Sequence, residues 1–173
     1  MAERSILRLG NPLLWTPSGR IADPAHGYVQ EVIRDLDDTL TRFRTDTGWG
    51  RGISAVQIGE LIRLSFVRLV PGETFEFINP EIVERSSETF ELWDDCFSFP
   101  TLLVRVARNY RIAVRYQDRT GATRGLEAEG GLSELLQHEF DHLDGILAID
   151  RRIDDRSFKL AEPAARSTRS ESQ

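Results

Sequence analysis

The pattern of apolar residues predicts a long helix in the first third of the chain. Between residues 27 and 44, apolar side chains recur every three or four positions, so they lie on one face of an amphipathic helix; these are Val29, Val32, Ile33, Leu36, Leu40 and Phe43. The segment TDTGWGRG, residues 45–52, follows directly and is rich in glycine. Glycine at this density predicts that the helix has ended.

The middle of the chain is composed of strand-like segments, and a second helix follows them. Apolar and β-branched residues are concentrated in LIRLSFVRLV, TFEFINPEIV, TLLVRVAR, YRIAVRYQD and TRGLEAEG, and the turn RTGA joins the last two. The helical periodicity returns from about residue 132 to 143, at Leu132, Leu135, Leu136, Phe140 and Leu143. This order predicts an α+β fold in which mostly antiparallel β-sheets surround the C-terminal helix.

Length and composition predict one domain. A chain of 173 residues fits a single hydrophobic core. We expect residues 1–160 to form this domain. The segment AEPAARSTRSESQ, residues 161–173, is small, polar and unpatterned, so we expect a disordered tail.

The composition excludes several classes of protein. With 40% hydrophobic and 29% charged residues, and no apolar run near the roughly 20 residues that cross a bilayer, no membrane span is expected. The N-terminus lacks a secretion signal, and the single cysteine, Cys96, suits a reducing compartment, so the expected location is cytoplasmic. A net charge of -6 disfavours binding to nucleic-acid phosphates.

The second helix contains the segment QHEFDHLDG, residues 137–145, which suggests a metal site. His138 and His142 are four residues apart and therefore lie on one helix face, where both can bind a single ion. In this HExxH pattern, the glutamate, here Glu139, faces metal-bound water as a general base. The alternative is a surface helix whose histidines bind nothing.

A catalytic site of this kind needs a third protein ligand. A pattern that extends HExxH with a third histidine is excluded, because Ala148 stands in that position. Glu162 is a candidate, although it lies beside a proline in a segment without helical pattern. Cys96, in WDDCFSFP, is a second candidate, because a thiolate suits a site with two imidazoles. A lone cysteine can also be a small buried hydrophobe.

Three motifs, in order along the chain, resemble those of the peptide deformylases. Residues 50–57, GRGISAVQ, are similar to the family's GxGLAAxQ, and residues 94–98, DDCFS, are similar to EGCLS. Residues 137–145 match QHExDHLxG throughout. The opening ILRLGNPLL resembles the family's N-terminal strand and turn, so the resemblance spans residues 5–150.

The resemblance implies one divalent metal ion, held by Cys96, His138 and His142, with water in the open position. It implies ferrous iron as the native metal, with zinc, nickel or cobalt as substitutes. By the same resemblance, the activated water attacks the carbon of an N-formyl group, and Glu139 carries the proton from water to the departing amine.

The resemblance also implies how the reaction intermediate and the substrate are bound. The Gln57 side chain and the backbone N–H of Phe97 would stabilise the oxyanion. Gly50 and Gly52 would let the substrate backbone approach closely. Asp95 stands where the family has a glycine, in a stretch that contacts substrate, and could change which substrate fits.

The resemblance implies that the substrates are formyl-methionyl peptides of nascent proteins and that formate is a product. We also expect a transient contact with the ribosome and, by default, a monomeric enzyme. A small N-formyl compound is the alternative within this chemistry. Two other classes stay open. One is an HExxH metalloprotease that uses Glu162, and the other is a metal-binding protein inactivated by Asp95.

Further departures from the family concern charge and volume near the cleft. Arg51 stands between the two glycines, Glu134 lies one helical turn before His138, and Gly131 replaces a larger apolar residue, which predicts a wider methionine pocket. Ser54 adds a hydroxyl. Finally, Arg108 aligns with a family arginine, which predicts a supporting salt bridge to Asp94 or Asp141.

Overall fold

The structure, a computed structural model, describes residues 4–69 and 72–162. Within these residues there are two α-helices, α1 (Gly27–Thr47) and α2 (Gly130–Leu143). The eight strands found in the same residues are β1 (Gly52–Ser54), β2 (Leu64–Arg68), β3 (Thr74–Arg85), β4 (Thr89–Asp95), β5 (Leu102–Asn109), β6 (Arg111–Gln117), β7 (Thr123–Glu129) and β8 (Phe158–Leu160).

The strands form two antiparallel sheets. The larger has five strands in the order β1-β2-β3-β6-β7, and the smaller has three in the order β4-β5-β8. In the described part of the chain, β1 pairs with β2 alone and is therefore an edge strand. Together with the two helices, this arrangement confirms the predicted α+β fold with mostly antiparallel sheets.

Helix α1 covers one end of the larger sheet with the face that its periodicity predicts. Val29, Val32, Ile33, Leu36 and Leu40 are all buried in one cluster with residues of β1 and β2. The helix continues three residues beyond the predicted end at residue 44, to Thr47. It ends at Gly48, whose φ of 76° is the left-handed conformation common after helix C-termini.

Helix α2 lies at the centre of the fold and contacts strands of both sheets. All its residues from 133 to 143 are buried, so its polar face is enclosed as well as its apolar face. The alternative of an exposed helix with idle histidines is therefore wrong. Buried polar groups usually need partners, and those of α2 are bonded to neighbours at Gln137, His138, Glu139 and Asp141, whereas Nδ1 of His142 has no hydrogen-bond partner among the described residues.

The structure corrects the prediction at four segments. Strand β1 was not predicted, because it begins inside the glycine-rich segment. Strand β4 leads to Cys96 but was not predicted, because its charged residues Glu91, Asp94 and Asp95 mask the alternation. Strand β8 was also missed. The predicted N-terminal strand is wrong: residues 5–8 form no strand, and Leu7 and Leu9 instead donate single backbone bonds to the carbonyls of Gln57 and Ser98.

The predicted tail, residues 161–173, lies outside the described residues from position 163 onward. Among the described residues, neither helix combines the length and the apolar character needed to cross a membrane.

Candidate active site

Cys96, His138 and His142 converge at one point beneath α2. The Cys96 Sγ atom lies 3.4 Å from His142 Nε2, which in turn lies 3.2 Å from His138 Nε2. Strand β4 delivers the cysteine, and the two histidines project from successive turns of α2. All three side chains are buried.

This donor set fits a metal ion. Tetrahedral ligation, with bonds of about 2.1 Å to nitrogen and 2.3 Å to sulfur, puts neighbouring ligand atoms roughly 3.4 to 3.6 Å apart. The observed separations of 3.2 and 3.4 Å are close to this spacing. Three converging ligands of one thiolate and two imidazoles leave a fourth position for water or substrate, as catalytic sites require.

Asp94 and Arg108 support His138 on the side away from the other two candidate ligands. Both oxygens of the Asp94 carboxylate lie close to His138 Nδ1, at 2.9 and 3.0 Å, which directs Nε2 towards the metal position. The Arg108 guanidinium donates to Asp94 at 3.0 Å and to Asp141 at 2.5 Å. The predicted salt bridge is confirmed, and it joins both carboxylates instead of one.

The electrostatics of Asp94 follow from these partners. Burial on its own would raise the pKa of this carboxyl, but His138 and Arg108 outweigh it and lower the pKa to about 2. The group is therefore a permanent anion. Asp94 and His138 also form a cluster with Glu134, but the Asp94 and Glu134 carboxylates are each bonded to an arginine, so Cys96, His138 and His142 are the better metal site.

Glu139 is held in place by two serines and a glycine. Its carboxylate accepts a hydrogen bond from the Ser54 hydroxyl at 2.6 Å, and Ser54 is bonded in turn to Ser65 at 2.8 Å. A Cβ at Gly52 would lie 2.6 Å from the Glu139 carboxylate, so this position leaves no space for a side chain. Burial raises the pKa of Glu139 to about 7, although a bound cation would lower it again.

Gln57 directs its amide group into the same site. The side chain is buried, and its Nε2 lies 3.3 Å from Ser98 Oγ and 3.7 Å from Cys96 Sγ. The backbone N–H of Ser54 fixes the other end of the amide by donating to Oε1 at 2.9 Å. The N–H donors of Gln57 therefore point towards the position beside the cysteine, where a developing oxyanion could be bound.

Phe97 contributes its ring to an aromatic cluster beside the cleft. The ring stacks on Phe43 at a centroid distance of 3.9 Å and meets Trp49 edge-on at 5.2 Å. Gly50 has a φ of 122°, and a Cβ there would lie 2.5 Å from the Phe97 ring, so glycine is required for both reasons. Gly50 thus accommodates the Phe97 ring.

Two other predicted residues belong to neither candidate metal cluster of the described residues. Asp95 is the half-buried last residue of β4, next to Cys96 and opposite Leu103 of β5. Glu162 is exposed and belongs to neither of the candidate metal clusters found among the described residues. The geometry therefore offers no support for a glutamate as third ligand.

Arg51 and Glu134 form a salt bridge next to the metal ligands. Arg51 Nη2 lies 2.8 Å from the Glu134 carboxylate, and Nη1 donates to the Gly131 carbonyl at 3.2 Å. The Glu134 side chain is 10% exposed whereas that of Arg51 is 47% exposed. The sequence indicated the charges of Arg51 and Glu134 separately, but it did not predict that the two residues form a salt bridge.

Ser54, Ser65 and Ser98 are the site residues that sequence reasoning missed in their present roles. Ser54 was noted only as an added hydroxyl, Ser98 was noted only as the last residue of the DDCFS motif, and Ser65 was not considered. Hydroxyls are common in loops and strands, so only the contacts to Glu139 and Gln57 single them out.

The donor set of Cys96, His138 and His142, with the Glu139 carboxylate beside it, contains the groups that a metal-dependent hydrolase needs. The family model described as polypeptide deformylase matches residues 3–158. A peptide deformylase of Dictyoglomus thermophilum is 36% identical over 152 residues, which cover 88% of this chain and 94% of the relative. A peptide deformylase-like protein of Rhizobium meliloti is 40% identical, with 87% and 85% covered.

A solved structure gives the same result. The crystal structure of peptide deformylase from Thermotoga maritima is 31% identical, covers 89% of this chain and 100% of its own, and superimposes with a TM-score of 0.82. This chain belongs to the polypeptide deformylase family. It is a metalloenzyme that hydrolyses the N-formyl group of nascent peptides.

Proposed function

We propose that the deformylation of formyl-methionyl peptides takes place at the cluster of Cys96, His138 and His142, which holds one divalent ion. The observation that carries this proposal is the convergence of three buried ligand atoms next to the buried Glu139 carboxylate. Bound there, a divalent ion would activate a water molecule and polarise the formyl carbonyl.

Glu139 is the general base and acid. Its carboxylate takes a proton from the attacking water and returns it to the amine when the bond between the formyl carbon and nitrogen breaks. Formate and a free amino terminus are the products. The hydrogen bond from Ser54 and the close approach of Gly52 support this role, because they hold the carboxylate in one orientation.

Gln57 and Phe97 stabilise the oxyanion that forms on the formyl oxygen. The Gln57 amide supports this role, because its Oε1 is fixed by Ser54 and its N–H donors lie beside Cys96. The backbone N–H of Phe97 follows the cysteine directly and is the second donor in this proposal. Donors fixed before the reaction begins are effective, since they need no reorganisation as the charge develops.

The substrate backbone binds in extended form between β1 and the end of β4. Strand β1 is an edge strand in the described part of the chain, and such an edge can accept an added peptide strand. Gly50 precedes β1 and Gly52 is its first residue, while Asp95 is the last residue of β4, directly before Cys96. These three residues are our candidates for contacts with the peptide.

Several finer properties belong to the same proposal. The catalytic domain comprises residues 1–160. Iron in the ferrous state is the native ion, with zinc, nickel or cobalt as substitutes, since a thiolate and two imidazoles suit all four. We further propose that the enzyme is cytoplasmic and monomeric and that it contacts the ribosome transiently. The buried free thiol of Cys96 agrees with a reducing compartment such as the cytoplasm.

The test compares formate release from formyl-Met-Ala with the cleavage of an unformylated peptide, using anaerobically purified protein loaded with iron or nickel. We expect rapid release of formate and no cleavage of the ordinary peptide, while Glu162→Ala, an exposed residue, behaves like the unchanged protein. Peptide-bond cleavage that disappears in Glu162→Ala would instead favour a metalloprotease.

A further inference from the structure

The salt bridge between Arg51 and Glu134 lies next to the residues of the proposed active site. A carboxylate oxygen of Glu134 lies within 4.8 Å of ligand atoms of Asp94 and His138, and Glu134 is one helical turn before His138 on α2. Arg51 directly precedes Gly52, which lies against the Glu139 carboxylate. The pair is therefore close to the groups that, in the proposed function, surround the formyl carbon.

The two charges are not equally accessible to a ligand. The Glu134 carboxylate is buried, with its side chain 10% exposed, while 47% of the Arg51 side chain is exposed. A guanidinium carries five N–H donors, and the bonds to Glu134 and to the Gly131 carbonyl use two of them. An incoming side chain thus meets an exposed guanidinium that has further N–H donors.

The anions around this position leave the donors on the exposed part of Arg51 available. Asp94 is bonded to Arg108 and His138, and the Glu134 carboxylate, which balances the charge of Arg51, accepts a hydrogen bond from Nη2 alone. An arginine held in place by two bonds is also well suited to a carboxylate, because its planar fork matches the two oxygens. An unbranched apolar side chain would gain neither hydrogen bond nor charge pairing there.

We infer that Arg51 gives this deformylase a second substrate class: N-formyl peptides whose first residue carries a carboxylate side chain. The inference rests on the proposed function, since it concerns the same cleft. It adds a substrate class to formyl-methionyl peptides and does not replace them. The reaction is unchanged, so water adds to the formyl carbon, the carbon–nitrogen bond breaks, and formate leaves.

The test uses three substrates of similar size, formyl-Met-Ala, formyl-Gln-Ala and formyl-Glu-Ala, with metal-loaded full-length protein. We expect kcat/KM for the glutamyl peptide to equal or exceed that for the methionyl peptide, with the glutaminyl peptide no better than the glutamyl one. In the double variant Arg51→Met/Glu134→Leu, which avoids leaving an unpaired buried charge, the ratio of glutamyl to methionyl rates should fall by about ten- to a hundredfold.

A control and a binding experiment separate this inference from the proposed function. Arg115→Leu removes another exposed arginine with a salt bridge, to Glu81, and should leave the ratio unchanged. Dissociation constants of the same three peptides for the metal-loaded Glu139→Ala variant, measured by calorimetry, should follow the same order without turnover.

One result would overturn the inference: the glutamyl peptide is bound and hydrolysed at least a hundredfold less well than the methionyl peptide, and the double variant shows the same ratio. If no peptide released formate, the proposed function would be refuted instead. The order of the dissociation constants would still show whether Arg51 favours a carboxylate side chain.

Discussion

Replacement of Arg108 by alanine should destabilise the protein and weaken its hold on the metal. Arg108 is 4% exposed and lies between two carboxylates, Asp94 at 3.0 Å and Asp141 at 2.5 Å. Its removal leaves the buried Asp94 anion without its arginine. Breaking a buried ion pair in this way costs about 3–5 kcal/mol, which is a large part of a typical free energy of unfolding of about 5–15 kcal/mol.

The assay is urea-induced unfolding of the metal-loaded protein, together with its metal content after dialysis. We expect a lower urea midpoint with an unchanged slope, because the same surface is exposed on unfolding. Metal affinity should fall by about 10- to 100-fold, since Asp94 orients the ligand His138 and would lose its own support.

Arg151→Ala is the matched control, because Arg151 is bonded to the same Asp141 but its side chain is 46% exposed. An exposed ion pair of this kind contributes about 0.2–1 kcal/mol. Equal urea midpoints for Arg108→Ala, Arg151→Ala and the unchanged protein, with equal metal content, would refute the reasoning.

Three further predictions concern the reaction itself. Glu139→Ala should keep its metal and lose about 10²- to 10⁴-fold in kcat, and retained activity would contradict its role as base. Ser54→Ala should lower kcat by about tenfold with KM unchanged, because the carboxylate loses its 2.6 Å hydrogen bond, whereas Ser54→Thr should retain most activity. In Gly52→Ala the new Cβ would displace the Glu139 carboxylate, so kcat should fall while the urea midpoint changes little. An unaltered kcat would show that the close approach of Gly52 to Glu139 has no role in the reaction.

The metal ligands could be predicted from the sequence to different degrees. The spacing of His138 and His142 was sufficient, because helix geometry alone places them on one face. Cys96 is 46 residues away from His142 and has no local signal, so only the resemblance to a family favoured it as a ligand over the alternative of a small buried hydrophobe. Arg108 was found in the same way.

The contacts that tune the site could not be predicted. Ser54 and Glu139 are 85 residues apart, and Arg51 and Glu134 are 83 apart, so each pair is created by the packing of α2 against β1. Periodicity indicated the apolar face of α2 but gave no sign that its polar face is buried too. Strand β4 was missed for a related reason, since its charged Asp94 is buried and paired with Arg108.

The central claim is that deformylation depends on one metal ion bound by Cys96, His138 and His142. Its most direct test is a titration of metal-free protein with ferrous or nickel ion under nitrogen. Bound metal and formate release from formyl-Met-Ala are measured on the same samples. The account predicts that activity rises in proportion to bound metal and saturates at one ion per chain, and that Cys96→Ala neither retains the ion nor releases formate. Formate release by the metal-free protein, or full activity of Cys96→Ala, would contradict it.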